Sequence, residues 1–187
     1  FYTYEWAGDN NQGVPIFYVH DPETGERTGE TTTDPETDRD RTIIGCAQPD
    51  LNLGWSNNFQ YKNWNLDLFF TGVFGQDIYN ATAEQYSNVS FVKEGRNVLK
   101  SVATKHRATD TQSQAPSNRW IENGSYFRLS SVSLGYTFGK IGNWINPLKL
   151  YATCNNVFTI TGYSGRDPEI NLGGLEPGMD RRTNYYP

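Results

Sequence analysis

Long apolar runs are missing from this chain. Nothing in its 187 residues approaches the ~18 consecutive apolar residues of a membrane helix, and a mean hydropathy of -0.69 with 36% hydrophobic content describes a polar protein. That excludes a membrane helix within these residues. A strand-based span stays open, because its apolar residues alternate with lumen-facing polar ones. Cysteine is scarce too: Cys46 and Cys154 fall in an expected loop and an expected strand. They support neither a disulfide scaffold nor a zinc site, and are expected to stay unbridged. His20 and His106 are isolated and suit no metal cluster. A basic excess is absent as well; at a net charge of -5, with no basic stripe, nucleic acid is not an expected partner. There is no Gly-x-Ser-x-Gly elbow and no phosphate-cradling glycine loop. Paired carboxylates occur only in loops, so neither an enzyme nor a cofactor site is expected. No signal peptide or initiator Met opens the chain, which reads as an internal piece of a longer precursor.

What is present is alternation. Leu51, Leu53, Trp55, Phe59 and Tyr61 share one parity, while Asn52, Gly54, Ser56, Asn58 and Gln60 share the other. After Lys62-Asn63 the pattern resumes with Trp64, Leu66, Leu68, Phe70 and Phe74. A period of two gives a strand one apolar and one wet face, and about 9–11 tilted residues span a bilayer. The spacing therefore predicts a hairpin, Leu51–Tyr61 with Trp64–Phe74, on a tight turn in which Asn63 suits positive φ better than Lys62. A second hairpin is expected from Tyr126–Phe138 and Leu148–Phe158. There Phe127 and Leu129 lie on the wrong parity for Val132, Leu134 and Tyr136, and a bulge near Ser130-Ser131 reconciles them.

Charge placement supports a lipid-embedded sheet. Of 37 charged residues, the four strand candidates hold only Asp67, Arg128 and Lys149. Given the one bulge, all three point into a lumen, while Leu53, Trp55, Leu66, Leu68, Val132, Leu134, Leu148 and Leu150 take the lipid face. The fold expected is all-β: about four long antiparallel strands of a transmembrane β-barrel, with long extracellular loops. Four strands with free edges cannot lie in hydrocarbon, so the barrel is partial.

The connections carry the remaining charge. Residues 1–50 are loop-like, with a short strand at Ile16–Val19 and a turn at Asp21-Pro-Glu-Thr-Gly25. Residues 21–41 read as an exposed polar excursion. Asp21, Glu23, Asp34, Glu36, Asp38 and Asp40 suggest calcium, but the order of an EF-hand loop is missing, so a solvated loop is the reading. Residues 76–125, with a helix expected around Ser90–Lys105, and the tail 159–187 are long and polar, so they face outward; Gly139–Pro147 suits the periplasmic side. Tyr2, Tyr4, Trp6, Trp120 and Tyr163 are loop aromatics able to stack on sugar rings, or simply to pack. A soluble, secreted carbohydrate-binding β-sandwich is the competing architecture.

Particular segments resemble the SusC/RagA-type TonB-dependent outer-membrane transporters. Asp40-Arg-Thr-Ile-Ile-Gly-Cys-Ala-Gln-Pro49 is similar to a segment of that family. So are Gly75-Gln-Asp-Ile-Tyr-Asn80, Arg119-Trp-Ile-Glu-Asn-Gly-Ser-Tyr-Phe-Arg-Leu129, Val132-Ser-Leu-Gly-Tyr-Thr-Phe138, Asn155-Asn-Val-Phe158 and Tyr163-Ser-Gly-Arg-Asp-Pro-Glu169. The resemblance is collinear over nearly the whole chain. It implies a barrel of roughly 22 strands around a plug, in the bacterial outer membrane. It also implies a TonB-contacting segment, a SusD-like lipoprotein lid, and oligosaccharide or peptide substrates. Residues 1–187 then correspond to the C-terminal section of the barrel, with plug and terminal strand absent. Trp120, Arg119 and Tyr163 become the expected substrate or lid contacts.

Overall fold

Alternation becomes geometry in four long strands. The computed structural model describes residues 1–87, 92, 95, 97, 98, 100, 115–139, 147–170 and 177–180. Short strands come first: β1 (Tyr2–Tyr4), β2 (Trp6–Asp9), β3 (Pro15–His20), β4 (Arg27–Thr32) and β5 (Arg41–Ile43). Then follow β6 (Leu51–Tyr61), β7 (Trp64–Phe74), β8 (Asp77–Tyr79), helix α1 (Ala81–Tyr86), β9 (Ile121–Asn123), β10 (Tyr126–Thr137) and β11 (Lys149–Thr161). The chain divides into two compact units. One comprises Phe1–Gln48, Asp77–Glu122 and Ser164–Pro187; the other comprises Pro49–Gln76 and Asn123–Tyr163.

The second unit is an antiparallel sheet in the order β11-β10-β7-β6. The β6–β7 register runs from Tyr61↔Trp64 to Leu51↔Phe74, with a two-residue turn as the alternation predicts. Eleven residues at ~3.4 Å rise, tilted ~40°, cover about 29 Å, close to the apolar band of an outer-membrane barrel. The second hairpin also forms, with ends that differ slightly from expectation. β10 stops at Thr137, and β11 runs on to Thr161 because Thr159, Ile160 and Thr161 continue the alternation.

The bulge lies where the parity breaks. Leu129 pairs with Phe70 and Ser131 with Phe69, leaving Ser130 as the extra residue, its hydroxyl 2.7 Å from that of Thr71. On the other flank Leu129↔Phe158 is followed by Ser131↔Asn155, and Asn156 takes φ 51° to absorb the slack. Asn tolerates that left-handed conformation better than most residues. Phe127, Leu129, Val132, Leu134 and Tyr136 thereby share one face.

Aromatic rings lock that face across strands. Trp55 stacks on Phe70 at 5.2 Å, and Phe70 on Phe127 at 5.5 Å. Nearer the turn, Trp64 meets Tyr136 edge-on at 4.7 Å. Gly72 belongs to the same face, and a Cβ there would come within 2.9 Å of the Phe74 ring and 3.3 Å of Phe127. The face is uncovered: Trp55, Phe59, Leu134, Leu150, Phe158 and Ile160 are all exposed. A sandwich would bury such a face under a second sheet.

The turn differs from expectation. Lys62, not Asn63, adopts positive φ, at 53°. An L-residue pays ~1–2 kcal/mol there, against ~0.5 kcal/mol from its ammonium, which lies 5.3 Å from the Tyr61 ring centroid. Lys62→Gly is therefore expected to stabilise the intact protein by about 0.5 kcal/mol, read as a raised denaturant midpoint.

In the first unit, β1 pairs with β5, β2-β3-β4 form a three-stranded sheet, and β8 pairs with β9. Phe17 and Ile78 are fully buried, and Tyr4 packs on Phe17 at 5.9 Å. The strand expected at Ile16–Val19 is present as β3. The expected turn is present too, with Gly25 N–H donating to Asp21 O at 2.8 Å. The exposed excursion over 21–41 needs correction in two places. Residues 27–32 form β4, whose polar sequence hides a strand wet on both faces, and Asp40 is completely buried. The helix expected over 90–105 lies almost wholly outside the described residues.

Candidate functional site

The segments that carry the family resemblance converge on a few polar side chains of the first unit. Asp77 N–H donates to Cys46 O at 2.8 Å, and Asp77 Oδ2 accepts from Cys46 N–H at 2.9 Å. Asn80 caps α1, its Oδ1 accepting from Ala83 N–H at 2.8 Å, while its Nδ2 donates to Glu122 Oε1 at 2.9 Å. Glu122 also accepts from the Ser164 backbone N–H and hydroxyl, both at 2.7 Å. Four segments distant in sequence are thus tied together by carboxylates and one amide. Burial pushes the neighbouring Tyr79 hydroxyl upward, and the Glu84 carboxylate adds to the effect.

Arg119 and Trp120 do come together. The Arg119 guanidinium carbon lies 5.0 Å from the Trp6 ring centroid and 4.8 Å from that of Trp120. Its Nη1 is 3.5 Å from Asp9 Oδ1, and Trp6 N–H donates to Asn118 Oδ1 at 2.8 Å. A planar cation between two indoles is a favourable stack; it fastens β2 to the turn at 118–120. Tyr163 belongs to the second unit. Of the two roles open to the loop aromatics, packing is what Tyr4, Trp120 and Tyr163 show, buried at 7%, 7% and 6% exposure, whereas Tyr2 remains 61% exposed. Packing within the loops has claimed their faces.

Asp67, Arg128 and Lys149 fall on the sheet face opposite the apolar one. Asp67 stands between Asn58 and Ser133 in register and accepts from the Asn58 amide. Arg128 stands between Thr71 and Thr159, donating to Thr159 Oγ1 at 2.8 Å with its guanidinium 5.2 Å from the Tyr126 ring centroid. Lys149 faces Thr137 at the end of the sheet. Hydroxyl pairs such as Ser133–Thr153, 3.0 Å apart, line the same side. Cys46 and Cys154 are both free.

Sequence reasoning missed a charged constellation around His20. Asp40 accepts from the backbone N–H of His20 at 3.2 Å and of Glu36 at 2.8 Å, and from Arg39 Nε and Nη2 at 2.9 and 3.1 Å. Burial pushes its carboxyl upward, but Arg39 and the two backbone donors outweigh this and hold it below the ordinary range. Glu5 makes a two-point pair with Arg27 and lies 3.4 Å from His20 Nε2. The Arg27 hydrogen bonds, opposed by burial, hold its carboxyl low. His20 Nδ1 and the indole nitrogens of Trp6 and Trp120 are buried without a partner. The available signal was the pairing of Asp40 with the preceding Arg39, next to a buried-strand pattern ending at His20.

No family model matches the chain. Over 179 residues it is 30% identical to the TonB-dependent receptor P3 of Formosa agariphila, covering 88% of this chain and 16% of that protein. It is 27% identical over 184 residues to the TonB-dependent receptor SusC of Bacteroides thetaiotaomicron, covering 92% and 17%. The chain thus spans about a sixth of the length of these relatives. In fold it matches the RagAB peptide importer in its open-open state with a TM-score of 0.74 at 24% identity, covering 96% of this chain and 20% of that one. The closed-closed state gives 0.68 at 22% identity. The collinear sequence match is to TonB-dependent receptors, SusC among them, and the antiparallel architecture is shared with the RagAB importer; the chain matches the β-barrel wall of these proteins.

Proposed function

We propose that this chain is wall and outward mouth of an outer-membrane nutrient importer, which takes up oligosaccharides or peptides with a SusD-like lipoprotein and TonB-derived energy. The observation that carries the reading is the two-faced sheet: an uncovered apolar face across four strands, backed by a face of hydroxyls, amides and three charges. The outer edges of β6 and β11 have no partner among the described residues, and unpaired edges are not tolerated in hydrocarbon. Further strands must close the wall. Asp67, Arg128 and Lys149 then face the lumen, and residues 1–187 form the C-terminal section of the barrel. The relatives are receptors and transporters, which supports a non-enzymatic role.

In this reading residues 76–125, and the tail from 162 onward now that β11 includes 159–161, meet the lid and the incoming solute. Arg119 and Trp120 are the candidate contacts of the first unit and Tyr163 that of the second. Deleting the tip 85–112 in the intact receptor is expected to reduce lid association or uptake severalfold while the barrel stays folded and heat-resistant on gels. Unchanged uptake and lid binding would make the loop a mere connection.

A further inference from the structure

We infer that the first unit carries a binding subsite for a neutral, polyhydroxylated ligand, a single sugar residue, in an open groove between the β3–β4 turn and β5. The inference rests on the importer reading and adds a place and a ligand class to it. The groove has a volume of about 600 Å³, within the roughly 300–1,000 Å³ of small-molecule sites.

Its lining decides the ligand's chemistry. Glu5 and Arg27 face each other in a two-point pair, with His20 beside Glu5 and the exposed Glu26 at the rim. An anion placed here meets two carboxylates, and a cation meets a guanidinium, so each ion is opposed by one sign of the wall. A hydroxyl both donates and accepts and is opposed by neither. Donors remain for it. Arg27 spends Nε and Nη2 on Glu5, which leaves Nη1; its guanidinium is steadied 4.3 Å from the centroid of the Tyr18 ring. Asn118 uses its oxygen on Trp6 N–H, which leaves the amide NH2 for a ligand. Thr42 adds a hydroxyl, and Ile43, 79% exposed, with Ile44 offers an aliphatic wall for the C–H face of a ring. Glu5, Arg27 and Asn118 are held by these contacts before a ligand arrives, which lowers the ordering cost of binding.

The test uses the intact receptor in detergent and saturation-transfer NMR with methyl α-glucoside, methyl β-galactoside and methyl β-xyloside, with trialanine as the peptide probe. At least one glycoside is expected to bind. Thr42→Val, which keeps shape and strand propensity, and Glu26→Gln, at an exposed position, are each expected to weaken its signal fivefold or more. Glu30→Gln, on β4 outside the groove, should leave it unchanged. Absence of any glycoside signal from folded receptor, equal signals in all variants, or trialanine binding lost in the same two variants overturns the inference. Uptake measured in parallel keeps the two readings apart. A receptor that imports but shows no glycoside signal sinks the groove alone; one that binds glycosides in the groove yet imports nothing sinks the importer reading alone.

Discussion

Asp40→Ala is expected to loosen the first unit by about 3 kcal/mol, at the lower end of what breaking a buried charge pair costs. The carboxylate is fully buried and accepts four hydrogen bonds. Its loss strands the His20 and Glu36 amide hydrogens, each worth about 1–3 kcal/mol when left unpaired. Arg39 is 33% exposed and can turn to water, which holds the total down. Asp40→Asn keeps the shape and one acceptor oxygen, and should cost less. Hydrogen exchange at the His20 and Glu36 amides of the intact receptor reads both. Acid should mimic the substitution. Because the folded-state carboxyls of Asp40 and Glu5 are held below their ordinary range, their stabilisation is fully present above the unfolded values of about 3.9 and 4.3. It is lost as pH falls through the lower folded values. Protection over residues 20–41 should persist from pH 7 to about 5 and fade below about 4, with no loss towards alkaline pH from these groups. Amides as well protected at pH 3, and in Asp40→Ala, as in the unsubstituted protein at pH 7 would show that the carboxylate holds nothing.

The strands were legible because a sheet with one apolar and one polar face imposes a period of two along each strand. Even the bulge could be read, since Phe127 and Leu129 break parity with Val132 and only an extra residue restores it. The structure adds the sheet's order: β10 pairs with β7, so the two hairpins are neighbours. The loops were not legible to the same depth, for identifiable reasons. Arg27-Thr-Gly-Glu-Thr-Thr32 has no apolar face, because β4 buries none of its residues and is held by backbone pairing to β3. Hydropathy cannot see such a strand. Asp40 counts as one more charge in an acidic stretch; what distinguishes it is that four donors converge on it, a fact of tertiary structure.

The candidate contacts show the same limit. Trp120 is as compatible with a sugar platform as with a packed loop until its neighbours are known, and the structure gives its ring to Arg119. At the turn, Asn63 was the better residue for positive φ, yet Lys62 adopts it. The register Tyr61↔Trp64 fixes the two-residue loop, and the pairing of eleven residues outweighs ~1–2 kcal/mol of local strain. Asp77, Asn80 and Glu122, which lie in the family-like segments, turn out to be the polar ties between loop segments. The family-like segments in these loops therefore report how the loops are held together, and give no direct account of a ligand.

Arginine at two adjacent positions of β10 should separate the two faces of the sheet. Val132 pairs with Leu68 and Cys154 on the apolar side, midway between the ring cluster at the turn and the Trp55–Phe70–Phe127 stack. Val132→Arg is expected to cost about 2–4 kcal/mol, the depth-dependent figure for a cation on the lipid face near the bilayer midplane. Ser133 is one residue along and faces the other way, directly across from Asp67. Ser133→Arg gives up a hydroxyl contact with Thr153 but gains a carboxylate neighbour, so the change should stay within about 0.5–1 kcal/mol. Leu150→Arg supplies the depth control: it shares the lipid parity but sits in the Tyr136 row beside the turn, where the penalty falls to about 0–1 kcal/mol. Urea unfolding of the intact receptor in phospholipid vesicles measures all three, with heat-modifiable migration confirming the fold. A tolerated Val132→Arg beside a ruinous Ser133→Arg would invert lipid and lumen. Equal, small effects at 132, 133 and 150 would mean that no bilayer faces this sheet, because only a hydrocarbon slab makes the cost depend on both the side and the depth of one substituted residue.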